Sequence, residues 1–182
     1  MSLPNKMTQH PWHGPSPDWD GHTVMGVVEI PKGERCKFEM HKDSGLLILD
    51  RVLSTTFEYP INYGFIPGTI EDDGDPLDIL ILSSFSLPSL CLVRCRVLGM
   101  LQMEDRGKLD RKILSVADTD VTNAHIQSLD DLPRTFFSEL RHFFEQYTIL
   151  ENKKVIIRDF RDKAEASGVI ENCIRDYKLS FS

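Results

Sequence analysis

The chain has 182 residues, 41% hydrophobic and 27% charged, with a formal net charge of −7. That length fits one domain able to bury a substantial core, and the composition is that of an ordinary globular protein. The acidic balance argues against a nucleic-acid binder, because phosphate backbones attract basic surfaces, and the longest apolar runs, such as Ile79-Leu80-Ile81-Leu82, have strand length, not the length of a membrane span.

Residues 1–22, with Pro4, Pro11, Pro15 and Pro17, are expected to form an irregular arm ahead of a single domain at 23–182. His10 and His13 have metal-like spacing, but zinc needs further ligands that the arm does not offer. VMGVVEI (24–30) reads as a buried strand. RCKFEMH (35–41) alternates, placing Cys36, Phe38 and Met40 on one face and Lys37, Glu39 and His41 on the other. The two-residue period puts Lys37 and Glu39 side by side, about 7 Å apart. A turn at 43–45 leads into LLILDR (46–51). PLDILIL (76–82), LCLVRCRVLGML (90–101) and KILSV (112–116) complete a set of about five strands, the content of a small partly closed barrel.

The C-terminal third changes period. Phe136, Phe137, Leu140, Phe143, Phe144 and Tyr147 fall at helical spacing, with Asp131 as the expected cap. VIIRDF (155–160) predicts a further strand, and residues 162–177 an amphipathic helix with Val169, Ile170, Cys173, Ile174 and Tyr177 inward. The sum is α+β, a barrel with helices packed against it. Cys36, Cys91, Cys95 and Cys173 form no CxxC pair or disulfide framework, and the N-terminus lacks the basic-then-apolar pattern of a leader. A reducing, cytoplasmic setting is therefore expected, with Cys36, Cys91 and Cys173 as small buried side chains.

The chemistry concentrates in EDDGDPLD (71–78), five carboxylates in eight residues with no lysine or arginine between Arg51 and Arg94. A charge run of this kind is usually a solvated turn. This one feeds directly into a strand that reads as fully buried, so Asp78 must be paired or bind a cation. The spacing does not match an EF-hand, which needs its glycine at the sixth loop position. An oxygen-only donor set points to a hard cation, Mg²⁺ or Ca²⁺. Asp105 and Asp110, in EDRGKLDRK (104–112), offer further oxygens beside Lys112, although that segment also has good hairpin-turn chemistry. FEYPINYGFIP (57–67) adds the hydroxyls of Tyr59 and Tyr63.

Taken together, DGDPLDI (73–79), VVEIPKG, KFE, LDR, YPINYGFIP, Asp105…Asp110…Lys112 and HFFEQY, in this order, resemble the soluble family I inorganic pyrophosphatases. The arm segment HPWHG (10–14) is similar to the one preceding the barrel in plant-type and some bacterial members. The resemblance implies an OB-like, five-stranded antiparallel barrel with two flanking C-terminal helices. It also implies hydrolysis of pyrophosphate to two orthophosphates, with several Mg²⁺ ions for which Mn²⁺ is a possible substitute. By position, Asp73, Asp78 and Asp110 match the ligands of the tightest metal. Asp105 and Asp110 match ligands of a metal that arrives with substrate, and Glu29 and Glu39 close that shell. Asp75 matches the carboxylate that orients and deprotonates the attacking water. Lys37, Arg51, Tyr63, Lys112 and Tyr147 match the phosphate-gripping groups, and Tyr59 a supporting tyrosine. Short members of the family are often hexamers, which makes a homo-oligomer the expectation.

One position departs from the family. Thr148 stands where a phosphate-binding lysine is usual, and losing a charge-assisted contact weakens binding or rate by about 10- to 150-fold unless something compensates. Lys153 and Lys154 follow nearby, and Arg106 stands where other members often have an acid or amide. Two rival readings are a metal-binding but catalytically silent scaffold and a hydrolase of larger phosphoanhydrides. The first is opposed by the intact carboxylate set, the second by the lack of any base-stacking or ribose-binding signature.

Overall fold

A computed structural model describes residues 9–105, 107–152 and 154–181 of the chain. Arg106, Lys153 and the first eight residues of the arm, including Pro4, lie outside the described residues.

Strand β1 (Thr23–Ile30) pairs with β4 (Asn62–Phe65) on one side and with β6 (Leu92–Asp105) on the other. β4 pairs with β5 (Asp78–Leu82), β5 with β7 (Lys108–Ala117), and β7 with β6. The order β1-β4-β5-β7-β6 therefore returns to β1, a closed five-stranded barrel. β8 (Val155–Asp162) extends the sheet from the far half of β6. Helices α1 (Arg134–Gln146) and α2 (Lys163–Ser180) flank it, so the fold is α+β with an OB-like barrel. No described helix is long and apolar enough to cross a membrane.

Three expectations change. The barrel is not antiparallel throughout, because β5 and β7 run parallel. The alternating segment and its partner, β2 (Cys36–Met40) and β3 (Leu47–Val52), form a separate hairpin outside the ring. A barrel strand needs a wholly apolar inner face, whereas β3 is exposed or half-buried at every position. The ring instead takes β4, whose four residues between Pro60 and Pro67 are too few to show a two-residue period. Finally, α1 starts after Pro133, which lacks an N–H and suits a helix entrance. The Asp131 carboxylate is engaged elsewhere, accepting from the Gln127 and Ser128 amides.

Alternation along the strands sorts the core into two halves. Ile79, Ile81 and Ile113 pack with Ala166, Ile170 and Cys173 of α2. Leu80 and Leu114, one residue out of phase, pack with Leu140, Phe143 and Phe144 of α1. Val169, Ile174 and Tyr177 line the same inward side of α2, as its periodicity predicts. Close backbone approach fixes two glycines. A Cβ on Gly64 would lie 1.8 Å from the Val27 carbonyl oxygen, and one on Gly99 2.3 Å from that of Arg161, where β6 bulges as it exchanges β1 for β8 as its partner beside β7. All four cysteines are free thiols, but only Cys95 and Cys173 are buried; Cys36 and Cys91 are half-exposed, on the hairpin and at a strand entrance.

Candidate active site

At one mouth of the barrel lies a cleft of about 610 Å³. It is walled by β1, the β2–β3 hairpin, the acidic loop before β5, the end of β6 with the first half of β7, and the end of α1. It gathers Glu29, Lys37, Glu39, Tyr59, Tyr63, Asp73, Asp75, Asp78, Asp105, Asp110, Lys112 and Tyr147, every sequence-named group except Arg51.

The parity that sorts the core also builds this cleft. Asp78 and Lys112 share the register of Leu80 and Leu114, so they emerge on the α1 side at the mouth of the barrel. The parallel pairing sets Asp78 directly opposite Lys112. This supplies the partner that no residue near Asp78 in sequence provides. Lys112 Nζ donates to Asp78 Oδ2 at 2.6 Å and to Asp110 Oδ1 at 3.0 Å, and lies 3.0 Å from the Tyr63 hydroxyl. That hydroxyl in turn donates to Asp78. Burial disfavours the Lys112 ammonium, but Asp110 and Asp78 outweigh it and hold its pKa well above that of an ordinary lysine. Burial raises Asp78 despite the opposing pull of Lys112.

Bulges aim two further carboxylates. Glu29 is the extra residue where β1 slips against β4, and it turns into the cleft, accepting from the Met40 amide at 2.8 Å. Burial, then the charge of Asp78, pushes Glu29 up to about 8. Asp50 is the extra residue on β3, and its carboxylate lies 3.3 Å from Lys37. Lys37 also meets Glu39 at 2.5 Å, as expected of side chains two apart on one face. Arg51 is opposite Lys37 in register but turns to Asp50 and Glu151 beside the cleft.

The acidic loop is a closed turn. The Glu71 amide donates to the Asp75 carbonyl at 2.8 Å, Gly74 adopts φ +83°, and the Asp75 amide donates to Asp73 Oδ1 at 3.0 Å. Two of its charge partners, Lys42 and Arg111, carry no signal in the sequence. Lys42, from the hairpin turn, reaches Asp75 at 2.5 Å and the Gly74 carbonyl at 3.0 Å. Arg111 donates through Nε and Nη2 to Glu71 at 3.0 Å. Burial nevertheless pushes Glu71 up to about 7, with Arg111 opposing. Lys42 and Arg111 carry no local signal, since each is an ordinary polar residue of a turn or strand until the fold brings the loop to it.

The back wall is aromatic. Tyr147 stacks on Phe143 with ring centroids 5.1 Å apart, and Tyr59 meets Phe143 at 4.9 Å and Tyr63 at 5.9 Å. Burial raises the pKa of Tyr59 and Tyr63 well above the usual tyrosine value, so both hydroxyls keep their protons. Thr148, the next residue after Tyr147, is only 3% exposed.

Among the described residues, nine carboxylates line the cleft against five lysine and arginine side chains. Asp105 Oδ1 is buried without a hydrogen-bond partner among the described residues. Among those residues no three carboxylate, imidazole or thiolate groups form a ready-made ligand cage, and Asp75, Asp78 and Asp110 are engaged by ammonium groups instead. Excess carboxylate, an orphaned oxygen and an oxygen-only donor set all fit a hard divalent cation. Cations so held, with Lys37 and Lys112 beside them, would draw a small polyanion into an otherwise acidic cleft.

A closed five-stranded barrel with a carboxylate-lined mouth defines the class, a barrel protein whose cleft residues fit metal-assisted anion chemistry. Comparison with known proteins narrows this. Residues 26–178 match the family model described as inorganic pyrophosphatase. The chain is 41% identical over 158 residues to the inorganic pyrophosphatase of Campylobacter jejuni, covering 85% of this chain and 92% of that one. It is 37% identical over 182 residues to soluble inorganic pyrophosphatase 2 of Chlamydomonas reinhardtii, covering 100% of this chain and 95% of that one. The fold matches the crystal structure of inorganic pyrophosphatase from Thermus thermophilus with a TM-score of 0.86 at 38% identity, over 96% of this chain and 99% of that one. The chain belongs to the inorganic pyrophosphatase family.

Proposed function

We propose that the protein is an inorganic diphosphatase that hydrolyses pyrophosphate to two orthophosphates, with Mg²⁺ as its metal and Mn²⁺ as a substitute. The observation that carries this is the convergence of Asp73, Asp75, Asp78, Asp105, Asp110, Lys37 and Lys112, drawn from four separate segments, on one cleft in a chain of this family. Asp73, Asp78, Asp105 and Asp110, with Glu29 and Glu39, are the metal-holding groups. When bound, Mg²⁺ supplies Lewis acidity and compensating charge at the phosphoryl oxygens. Asp75, on the exposed loop, takes the proton of the attacking water as the water oxygen bonds to one phosphorus and the bridging P–O bond breaks in line. Lys37, Lys112 and the protonated hydroxyls of Tyr63 and Tyr147 hold the phosphoryl oxygens as charge develops on the departing phosphate. Arg51 closes the phosphate site from its edge, and Tyr59 supports the wall.

In this reading residues 23–182 are one catalytic domain and 1–22 an arm. The location is cytoplasmic, consistent with four unpaired thiols. The assembly is a homo-oligomer, with a hexamer favoured, to which the exposed Leu179 and Phe181 at the end of α2 would contribute. The silent-scaffold reading is not favoured, because Asp75 and the whole carboxylate set are present.

The test is phosphate release from pyrophosphate, tripolyphosphate and ATP with Mg²⁺ and then Mn²⁺, run beside Asp75→Asn. Fast release from pyrophosphate that falls by about 10²- to 10⁴-fold in the variant is expected. No release by folded, Mg²⁺-loaded wild type would refute the assignment.

A further inference from the structure

The arm segment HPWHG is the one sequence motif that the reaction leaves without a task. Its centre, Trp12, is 3% exposed and packs with Val27, Met40 and Phe65. Phe65 is the register partner of Asp78, and the Met40 amide is the donor to Glu29. The indole thus packs against two residues, Met40 and Phe65, that themselves line the cleft.

Its hydrogen bonds lead to the acidic loop. Trp12 Nε1 donates to the Thr69 carbonyl at 2.7 Å, and the Trp12 carbonyl accepts from the Gly68 amide at 2.9 Å. One residue of the arm therefore grips the Gly68–Thr69 segment through both its side chain and its backbone. Thr69 is completely buried; its Oγ1 donates to the Ile66 carbonyl at 2.6 Å and accepts from the Leu77 amide at 3.0 Å. Leu77 is the equally buried residue immediately before Asp78. The acidic loop consequently stands on two feet, Thr69 and Leu77, joined by one hydroxyl, and the first foot is held by one indole.

The arm also braces the other partner of Asp75. A Cβ on Gly45 would lie 2.6 Å from Pro11 Cδ and 3.1 Å from the His10 ring, so the hairpin turn seats directly on the arm. That turn carries Lys42, which holds Asp75. The described part of the arm touches both structures that meet at Asp75, and none of its described residues lines the cleft.

We propose that Trp12 is a positioning residue for the metal-binding loop. By fixing Gly68–Thr69, and through Thr69 the Leu77 amide, it sets where Asp73 and Asp75 stand relative to Asp78 and so tunes Mg²⁺ affinity. This rests on the loop holding Mg²⁺ as read above.

The test is Trp12→Phe in the full chain, which keeps a ring in the core and removes the Nε1 donor. The measurements are calorimetric Mg²⁺ affinity without substrate, hydrogen exchange at the Leu77 amide, and pyrophosphate turnover across a Mg²⁺ titration. Loss of one buried hydrogen bond is expected to weaken Mg²⁺ binding by about 5-fold, hasten exchange at Leu77, and raise the activating Mg²⁺ concentration by a similar factor, with turnover recovering at saturating Mg²⁺. Thr69→Val should reproduce the shift and Thr69→Ser, which keeps the hydroxyl, should largely restore wild-type behaviour. A folded Trp12→Phe with unchanged Mg²⁺ affinity and Leu77 exchange, beside an active wild type, overturns the positioning role alone. Should Trp12→Phe not fold, equal Mg²⁺ affinities in Thr69→Val and Thr69→Ser overturn it. Wild type that binds no Mg²⁺ and releases no phosphate overturns the underlying reading of the site as well.

Discussion

Lys112→Met tests the electrostatic centre of the cleft. The lysine side chain is 4% exposed, and its ammonium is shared by Asp78 and Asp110, which are 25% and 28% exposed. Methionine keeps apolar contact with the neighbouring Tyr63 and Phe144 rings and leaves two carboxylates facing each other without their cation. Removing one partner of a fully buried ion pair costs about 3–5 kcal/mol, and partial exposure of both acids lowers this to about 2–3 kcal/mol. For a chain of this size the expected fall in Tm is about 4–12 °C. Because Asp110 and Asp78 raise the Lys112 pKa, its contribution is complete through neutral pH and is lost only as pH rises past the lysine range. Melts followed by circular dichroism at neutral pH, with EDTA and then with millimolar Mg²⁺, measure the effect. The deficit should be largest in EDTA and shrink to less than about half with Mg²⁺, as a bound cation takes over charge compensation. A deficit equal under both conditions, or below about 2 °C in EDTA, would refute this reasoning.

Gly168 lies exposed within α2, and a Cβ there would meet nothing within 4 Å, so Gly168→Ala should gain about 0.5–1 kcal/mol, read as a Tm higher by about 1–4 °C. Asp20 is held down to about 2 by the Thr23 amide, the Thr23 hydroxyl and the His22 amide. Its contribution is therefore present above about pH 4 and lost as pH falls through the folded value, so the stability deficit of Asp20→Asn should be full at pH 5 and vanish towards pH 2 in an acid titration of Tm. Thr148→Lys should lower KM for pyrophosphate by about 10-fold or more by placing a cation beside Tyr147; unchanged kcat and KM would refute the reading that threonine here weakens phosphate binding.

The chain's local chemistry was legible where a residue's role depends on its immediate neighbours. The β1, β5 and α2 segments announce themselves by apolar runs or helical spacing, and the side-by-side placement of Lys37 and Glu39 follows from strand alternation. The cluster Asp73, Asp75 and Asp78 declares itself because a turn of carboxylates enters a buried strand. β4 was not legible, since four residues between prolines are stabilised by pairing to β1 and β5 and not by any pattern of their own. Nor was the exclusion of β2 and β3 from the ring, which is decided by competition among strands for a shared apolar interior.

The sequence by itself determined which residues carry charge, where both helices and most of the strands lie, and that the acidic loop needs cationic company. Only the tertiary structure decided who provides it. Lys112 reaches Asp78 through a parallel pairing of strands about thirty residues apart, Lys42 reaches Asp75 from a hairpin turn, Arg111 reaches Glu71 across the loop, and Trp12 holds the loop from below. Such contacts depend on chain closure between distant segments, and the free energy that selects them resides in the burial of the whole barrel, not in any short stretch of the chain.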